Sequence, residues 1–91
     1  MRYSFDPAKR ASNLKKHGLD LVDAKPVIES GQTVTVEDRR FDYGEARFVT
    51  LGPLGNVLVA IVTAEVDEDI RVISMRKADR HEQAIYRENI A

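Results

Sequence analysis

An uninterrupted apolar run, Val57 to Ala64, constrains the fold of this chain more than any other feature. A strand with one solvated face alternates apolar and polar residues, and this run does not alternate. Segment 52–56 before it contains glycine and proline, and segment 65–69 after it is acidic, so both segments are predicted to be turns. We therefore expect 57–63 to form a central strand that is buried on both faces of a sheet.

Two helices are predicted before this sheet. Asp6-Pro7 begins a helix over 7–17, because Asp caps a helix and Pro fits its first position. Gly18 ends that helix, since glycine adopts the left-handed conformation that terminates helices at no steric cost. Asp20 can cap a second helix, in which Pro26 should introduce a kink by removing a backbone hydrogen bond.

The rest of the chain predicts a four-stranded meander followed by a third helix. Short turns between β-branched runs favour antiparallel pairing of successive strands. Asp79 caps the last helix, and Glu82 completes a capping box. The predicted strands are 2–5, 33–36, 46–51, 57–63 and 70–75, and 37–43 is predicted to be a charged loop.

These elements give the order β-α-α-β-β-β-β-α, and the predicted fold class is α+β. We expect two layers, with two N-terminal helices and one C-terminal helix packed on an antiparallel twisted sheet of about four to five strands. The length of the chain fits a single domain, 1–91, with one modest core.

The composition excludes several classes of protein. The chain has no cysteine, so it can form neither a disulfide nor a zinc–thiolate site. Two distant histidines and scattered acids predict no metal site and no cofactor. No apolar run approaches the roughly 18 residues that span a bilayer, so we expect a cytoplasmic protein with no membrane partner. A formal net charge of −1 argues against coating nucleic acid by bulk electrostatics.

Basic residues gather where the last strand runs into the last helix. They are Arg71, Arg76, Lys77, Arg80 and His81. A helix N-terminus favours anions, and guanidinium groups beside it predict a phosphate site. Strict alternation puts Arg71 and Arg76 on opposite strand faces, so they share a groove only if the strand ends, twists or bulges between them. The alternative is that one arginine binds phosphate and the other pairs with an acid such as Glu45 or Glu82.

Three further side chains are candidates for chemistry, and each has a structural alternative. His17 could be a general acid or base, because histidine exchanges protons near neutral pH, but it could also cap the first helix. Glu82 could be a base, although capping explains it as well. Tyr86 could stack on a nucleobase or pack against the sheet with its hydroxyl exposed.

Taken together, the order and spacing of these residues resemble the BrnT family of ribonuclease toxins from bacterial toxin–antitoxin pairs. The resemblance is carried by Phe5-Asp6, Asn13, Lys16-His17-Gly18, Asp38, Gly44-Glu45, Arg47, Arg71, Ile73-Ser74, Arg76, Ala78, Glu82 and Tyr86. It implies a fold similar to that of RelE-type toxins and a metal-independent endoribonuclease that cleaves RNA and inhibits translation. It also implies a separately encoded antitoxin of the ribbon-helix-helix type, which covers the toxin and represses the operon by binding operator DNA.

The resemblance and the basic junction of the last strand and helix together suggest roles for individual residues. Arg71 and Arg76 would bind phosphate and stabilise the charge of the transition state. His17 would be the acid or base, and Glu82 is a further catalytic candidate. The predicted RNA contacts are Lys16, Arg47, Lys77, Arg80 and Tyr86. The rival hypothesis, motivated by the net charge of −1, is a non-catalytic interaction module that binds a small ribbon-helix-helix antitoxin or repressor.

Overall fold

The computed structural model describes residues 2–39 and 44–90. Its strands are β1 (Arg2–Ser4), β2 (Val34–Asp38), β3 (Arg47–Leu54), β4 (Val57–Val66) and β5 (Asp69–Lys77). Its helices are α1 (Pro7–His17), α2 (Ala24–Ile28) and α3 (Arg80–Asn89), with a 3-10 helix (Leu21–Asp23) before α2. The α+β class is confirmed, and none of the described helices is long and apolar enough to cross a membrane.

Local capping sets both ends of α1, whose predicted bounds are confirmed. The Asp6 carboxylate accepts a hydrogen bond from the Ala8 N–H at 2.8 Å. Gly18 follows the helix with a φ of +70°, a conformation that glycine adopts without steric cost. These two caps place His17 in the last position of α1, at the end of the helix where the next segment turns away.

The second helical segment is divided, rather than being one helix with a kink at Pro26. The Asp20 carboxylate caps the 3-10 helix by accepting from the Val22 N–H at 3.1 Å, and α2 follows directly. Pro26 lies in the first turn of α2, where a backbone N–H has no intrahelical acceptor. This proline therefore removes no helical hydrogen bond, and the change of helix type comes before it, between Asp23 and Ala24.

β4 is the central strand of a five-stranded sheet with the order β1-β5-β4-β3-β2. The pairs formed by β2 to β5 are antiparallel, whereas β1 pairs with β5 in parallel at the edge. Val59, Ala60 and Ile61 are fully buried, although successive side chains of a strand point to opposite faces. The prediction of a central strand buried on both faces is confirmed.

Helices cover both faces of the sheet, so the predicted two-layer arrangement is wrong. On one face Ile61 shares a core with Val27 of α2, and we call this the α2 face. On the other, the α3 face, Leu51 and Ala60 pack against Ile85 of α3. The apolar side of α3 is visible in its sequence, but the face of the sheet that it covers depends on the path of the chain after β5.

Strands β2 to β5 end later than the sequence predicts, whereas β1 ends one residue earlier, and the turns are shorter. The two hairpin turns are Gly55-Asn56 and Asp67-Glu68, in place of the predicted turns 52–56 and 65–69. β2 includes Glu37 and Asp38, which belong to the predicted loop, because the antiparallel ladder with β3 continues past the last apolar residue of β2. The part of that loop from 40 to 43 lies outside the described residues.

Candidate active site

A β-bulge lies in β5, between the two arginines that the sequence singles out. Ser74 is paired with Val62 of β4, but the next pair joins Val72 to Thr63. Ile73 is therefore an extra residue of β5, with no direct partner on β4. A bulge shifts the alternation of side chains, so residues on its two sides exchange faces relative to a regular strand.

The bulge puts Arg71 and Arg76 on the same face of the sheet. Arg76 lies opposite Ala60 and Arg71 lies opposite Ala64, and these two alanines share one face of β4 because they are an even number of residues apart. That face is the α3 face, to which Ser74 also belongs by its register. At about 3.3 Å per strand residue, the two arginine backbones are about 13 Å apart. The sequence analysis requires the strand to end, twist or bulge for the two arginines to share a groove, and the structure has a bulge.

Glu45 joins Arg71 to a third arginine, Arg47. Nη2 of Arg71 donates to both Glu45 carboxylate oxygens at 2.7 and 2.6 Å, and Nη2 of Arg47 lies 3.4 Å from Oε1. Both arginines lie opposite Ala64 of β4, so they form one row across the sheet. Glu45 therefore holds two guanidinium groups side by side at one end of the α3 face.

Arg76 is held by Glu82 at the start of α3. Nη1 donates to Oε1 at 2.7 Å and Nη2 donates to Oε2 at 3.1 Å, which is a bidentate pair. The same carboxylate accepts from the Asp79 N–H at 2.9 Å, and the Asp79 carboxylate accepts from the Glu82 N–H, so the predicted capping box is confirmed. The sequence-based alternative pairs one arginine with an acid, whereas both Arg71 and Arg76 are paired.

The surface between the two ion pairs is open and partly apolar. The register of the sheet aligns Val36, Val49, Val62 and Ser74 across it, and Val36 is 43% exposed. A cavity of about 280 Å³ adjoins this row on the side of Arg76. α3 therefore covers only part of its face and leaves a strip with a guanidinium group at each end.

α1 closes the outer edge of β5 and brings His17 close to the bulge. β1 pairs with β5 only as far as Arg71. Beyond that point the Asn13 amide donates to the Met75 carbonyl at 2.8 Å and accepts from the Met75 N–H at 3.1 Å. His17 and Ser74 line one cavity of about 180 Å³ between α1 and β5. Ser74 thus connects the His17 cavity to the strip between the arginines.

The His17 side chain forms neither a hydrogen bond nor an ion pair with any described residue. The Gly18 N–H, not the imidazole, closes the end of α1 by donating to the Leu14 carbonyl at 2.9 Å. The imidazole thus forms no capping hydrogen bond, although His17 lies in the last turn of α1, where the helix dipole favours a cation. The imidazole is available to a ligand that enters the cavity.

The predicted RNA contacts do not converge on one point. Lys16 lines the His17 cavity and Arg47 joins Arg71, but Lys77 and Tyr86 line a separate cavity of about 430 Å³ near the β3–β4 turn. The Tyr86 hydroxyl donates to the Gln32 carbonyl at 2.8 Å, and its ring packs on the core of the α3 face. The packing alternative for Tyr86 is therefore observed.

The remaining predicted contact, Arg80, is exposed at the first position of α3. Sequence reasoning missed two residues of the His17 cavity, Lys9 and Ser12. Their spacing from Lys16 on a helix was the available signal, because positions three, four and seven apart share a helix face. Among the described residues, no group of three or more His, Asp or Glu side chains is arranged to hold a metal ion.

Comparison with protein families gives a match over most of the chain. A family model described as the ribonuclease toxin BrnT of type II toxin–antitoxin systems matches residues 5–82. The chain belongs to the BrnT family. Family membership assigns it to a class of ribonuclease toxins, whose substrate is RNA and whose system includes an antitoxin protein. No curated protein shows significant similarity to the chain. The similarity in fold to RelE-type toxins stays a prediction.

Proposed function

We propose that this BrnT-family chain is a metal-independent endoribonuclease that cleaves RNA at the outer edge of β5 and thereby inhibits translation. The bulge at Ile73 is the observation that supports this most strongly. It gathers Arg71, Ser74 and Arg76 on one face, and α1 brings His17 to the same point of the strand from the side. Two guanidinium groups, a hydroxyl and an imidazole therefore border the same stretch of β5, which supports a role in binding and cleaving a phosphodiester.

Metal-independent RNA cleavage needs three kinds of group around one phosphate. A base removes the proton of the ribose 2′-hydroxyl, cations stabilise the charge that builds on the phosphate, and an acid protonates the leaving 5′-oxygen. Arg71 and Arg76 supply the cations, because a guanidinium group matches the geometry of phosphate oxygens. His17 supplies one of these two proton transfers, as the base at the 2′-hydroxyl or the acid at the 5′-oxygen, since its imidazole is not committed to any described residue. Solvent on this open surface exchanges the other proton.

Glu82 acts in this proposal by positioning Arg76. Two hydrogen bonds from Arg76 and one from the Asp79 N–H converge on its carboxylate, whose side chain is only 14% exposed. A general base would have to give up part of this network in order to accept a proton. Glu45 does the same for Arg71, and the two carboxylates keep both guanidinium groups on the α3 face.

The other predicted contacts extend the RNA path away from this point. Lys16 lies beside His17, and Arg47 adjoins Arg71 through Glu45. Lys77 at the end of β5, with Arg80 and Tyr86 on α3, lies further from His17 and would contact more distant nucleotides.

We further propose that the antitoxin is a ribbon-helix-helix protein. Type II systems pair the toxin with an antitoxin protein, which supports a protein partner for this chain. A partner that covers the open strip of the α3 face would block access of RNA to the arginines. The toxin would reach operator DNA only indirectly, through the DNA-binding domain of the antitoxin.

Cleavage of RNA in EDTA by the purified chain tests the enzymatic proposal. The assay uses free RNA in EDTA and, separately, translating ribosomes in magnesium buffer, with Arg76→Ala as the test variant and Arg2→Ala as the matched control. Arg2 is also an arginine of the sheet paired with an acid, Asp69 at 3.0 Å, but it lies on β1 away from the bulge. We expect Arg76→Ala to lower the cleavage rate by about 100-fold or more, the usual cost of removing a transition-state donor, and Arg2→Ala to leave it unchanged.

Two results would contradict this expectation. Equal cleavage rates for Arg76→Ala and the unmodified chain, both shown to be folded by circular dichroism, would mean that Arg76 is not part of the site. Cleavage that disappears in EDTA would overturn metal independence while leaving ribonuclease activity in place.

A non-catalytic interaction module is the second candidate. The ion pairs of Arg71 with Glu45 and of Arg76 with Glu82 favour it, because each guanidinium group already binds a carboxylate in the way that it would bind a phosphate. Such a module would use the open strip of the α3 face to hold its ribbon-helix-helix partner and would leave RNA intact.

A further inference from the structure

We propose that one face of α1, formed by Lys9, Ser12 and Lys16, is a second phosphate-binding track that leads RNA away from His17. The inference rests on the proposed ribonuclease function and adds two residues, Lys9 and Ser12, to its binding surface. It assigns to α1 a contact with the phosphates that neighbour the phosphate at which RNA is cleaved.

The geometry of α1 aligns these three side chains. They are spaced three and four residues apart, so they lie on one helix face, and all three line the cavity that contains His17 and Ser74. At 1.5 Å of rise per residue, Lys9 and Lys16 are about 10 Å apart along the helix. Lys16 therefore lies beside His17, and Lys9 lies about two turns further from it.

No described residue neutralises the charges on this face. Neither Lys9 nor Lys16 forms an ion pair with any described residue, whereas Arg71 and Arg76 each hold a carboxylate. The described residues that line the cavity include no Asp and no Glu. An incoming phosphate would thus meet ammonium groups without displacing an ion-paired acid.

The uncharged groups of the cavity fit the same ligand. The hydroxyls of Ser12 and Ser74 form no hydrogen bond with a described residue, so each can donate to a phosphate oxygen. The Asn13 amide, by contrast, donates to the Met75 and Leu19 carbonyls and contributes no free donor. Two ammonium groups and the Ser12 hydroxyl along α1, with the Ser74 hydroxyl of β5 in the same cavity, suit the backbone of a single strand, which they would contact at its phosphates and not at its bases.

The test measures the binding of a short single-stranded RNA that 2′-O-methylation makes resistant to cleavage. Fluorescence anisotropy gives the affinity over a tenfold range of salt for Lys9→Gln and for Lys15→Gln. Lys15 is the matched control, because it lies on the same helix, is exposed, carries the same charge and does not line the cavity. Ser12→Ala removes one donor with no change of charge.

We expect Lys9→Gln to reduce the slope of log affinity against log salt by about 0.7, the value for one lost phosphate contact in a single strand. The unmodified chain would then lose about fivefold more affinity than Lys9→Gln over the tenfold range of salt. Lys15→Gln should keep the original slope. Ser12→Ala should bind more weakly with the slope unchanged, because a neutral hydrogen bond releases no counterion.

Two outcomes would overturn the inference, and they can be told apart. Identical slopes for Lys9→Gln and Lys15→Gln, with RNA cleavage by the unmodified chain intact, would remove the α1 track and leave the proposed function standing. An unmodified chain that neither binds nor cleaves RNA, free or on ribosomes, would overturn the proposed function and the track with it.

Discussion

Asn13 stabilises the outer edge of the sheet where β1 no longer covers β5. Its amide binds both backbone groups of Met75, as a neighbouring strand would, and also donates to the Leu19 carbonyl at 3.0 Å. The side chain is almost fully buried, with 6% exposure. One residue therefore satisfies an open strand edge and fixes α1 beside the bulge.

We predict that Asn13→Leu lowers the free energy of unfolding by about 3 kcal/mol, because it leaves buried backbone groups without partners. Urea unfolding of the variant and of the unmodified chain measures the difference. Asn89→Leu is the control, since Asn89 is exposed and bonds only within α3, to the Ile85 carbonyl. Equal losses in the two variants would show that the Asn13 contacts add nothing beyond a surface amide.

The partner of Asn13 could not be predicted from the sequence. Met75 is 62 residues away in the chain, and an asparagine within a helical pattern carries no sign of what it binds. By contrast, the caps Asp6 and Asp79 were predictable, because each bonds backbone within a few residues of itself. At the scale of single residues, the sequence predicts hydrogen bonds between neighbours in the chain. It misses those between residues that only the fold brings together.

At the scale of elements, an ion pair joins α1 to the 3-10 helix that follows it. Arg10 of α1 donates to the Asp20 carboxylate through Nε at 2.8 Å and Nη2 at 2.9 Å. The hydrogen bond from Arg10, and after it that from the Val22 N–H, lowers the pKa of Asp20 below its ordinary value of 3.8. The folded protein thus binds this proton less tightly than the unfolded chain does.

A group with a lowered pKa stabilises the folded state above its unfolded pKa, and this contribution is lost as the pH falls through the folded pKa. We therefore predict that the free energies of unfolding of the unmodified chain and of Asp20→Asn differ most near neutral pH and converge in acid. Asparagine keeps an acceptor for the Val22 N–H, so the cap is retained. Urea unfolding at a series of pH values measures the difference.

Glu65→Gln is the control for this pH series, because Glu65 is an exposed acid that forms no ion pair with a described residue. The difference in free energy of unfolding between Glu65→Gln and the unmodified chain should stay constant as the pH falls. A constant difference between Asp20→Asn and the unmodified chain at every pH would contradict the proposed linkage.

Elements whose signals are local were predicted well, as was the antiparallel pairing of the successive strands β2 to β5, but the register within that pairing was not. The bounds of α1 and the burial of β4 follow from caps and from an apolar run. The bulge at Ile73 does not, because it exists only relative to the register of β4. Alternation alone separates Arg71 from Arg76, so the feature that brings the candidate site together is the one that the sequence left open.

Over the whole molecule, a net charge of −1 conceals an uneven distribution of charge. Several arginines pair with carboxylates, including Arg2, Arg10, Arg71 and Arg76. The lysines of α1 form no ion pair with described residues, so positive potential concentrates beside the outer edge of β5. Composition therefore underestimates the capacity of this chain to bind a polyanion, because an average over the surface removes the local field.

The arrangement of the candidate site over the whole molecule could not be predicted from the sequence. The residue types were available from the sequence, but the structure divides them among the His17 cavity, the strip of the α3 face and the cavity beside Lys77 and Tyr86. The order of residues in the chain does not give the distances between these three places, since α1 and β5 are far apart in sequence and adjacent in space. The assignment of the chain to a family, in contrast, rested on order and spacing, which a sequence shows directly.

The effect on cells separates the two candidate functions of the whole molecule. We predict that expression of the chain without its antitoxin arrests growth, that His17→Ala relieves the arrest, and that Arg2→Ala does not. Arg2 is the control, because it is exposed on the edge strand β1 and lines neither the His17 cavity nor the cavity beside Arg76. The colony count after induction measures the arrest, and immunoblotting confirms that all three proteins accumulate equally. An interaction module would be harmless in every form, and equal arrest by all three proteins would instead remove His17 from the reaction.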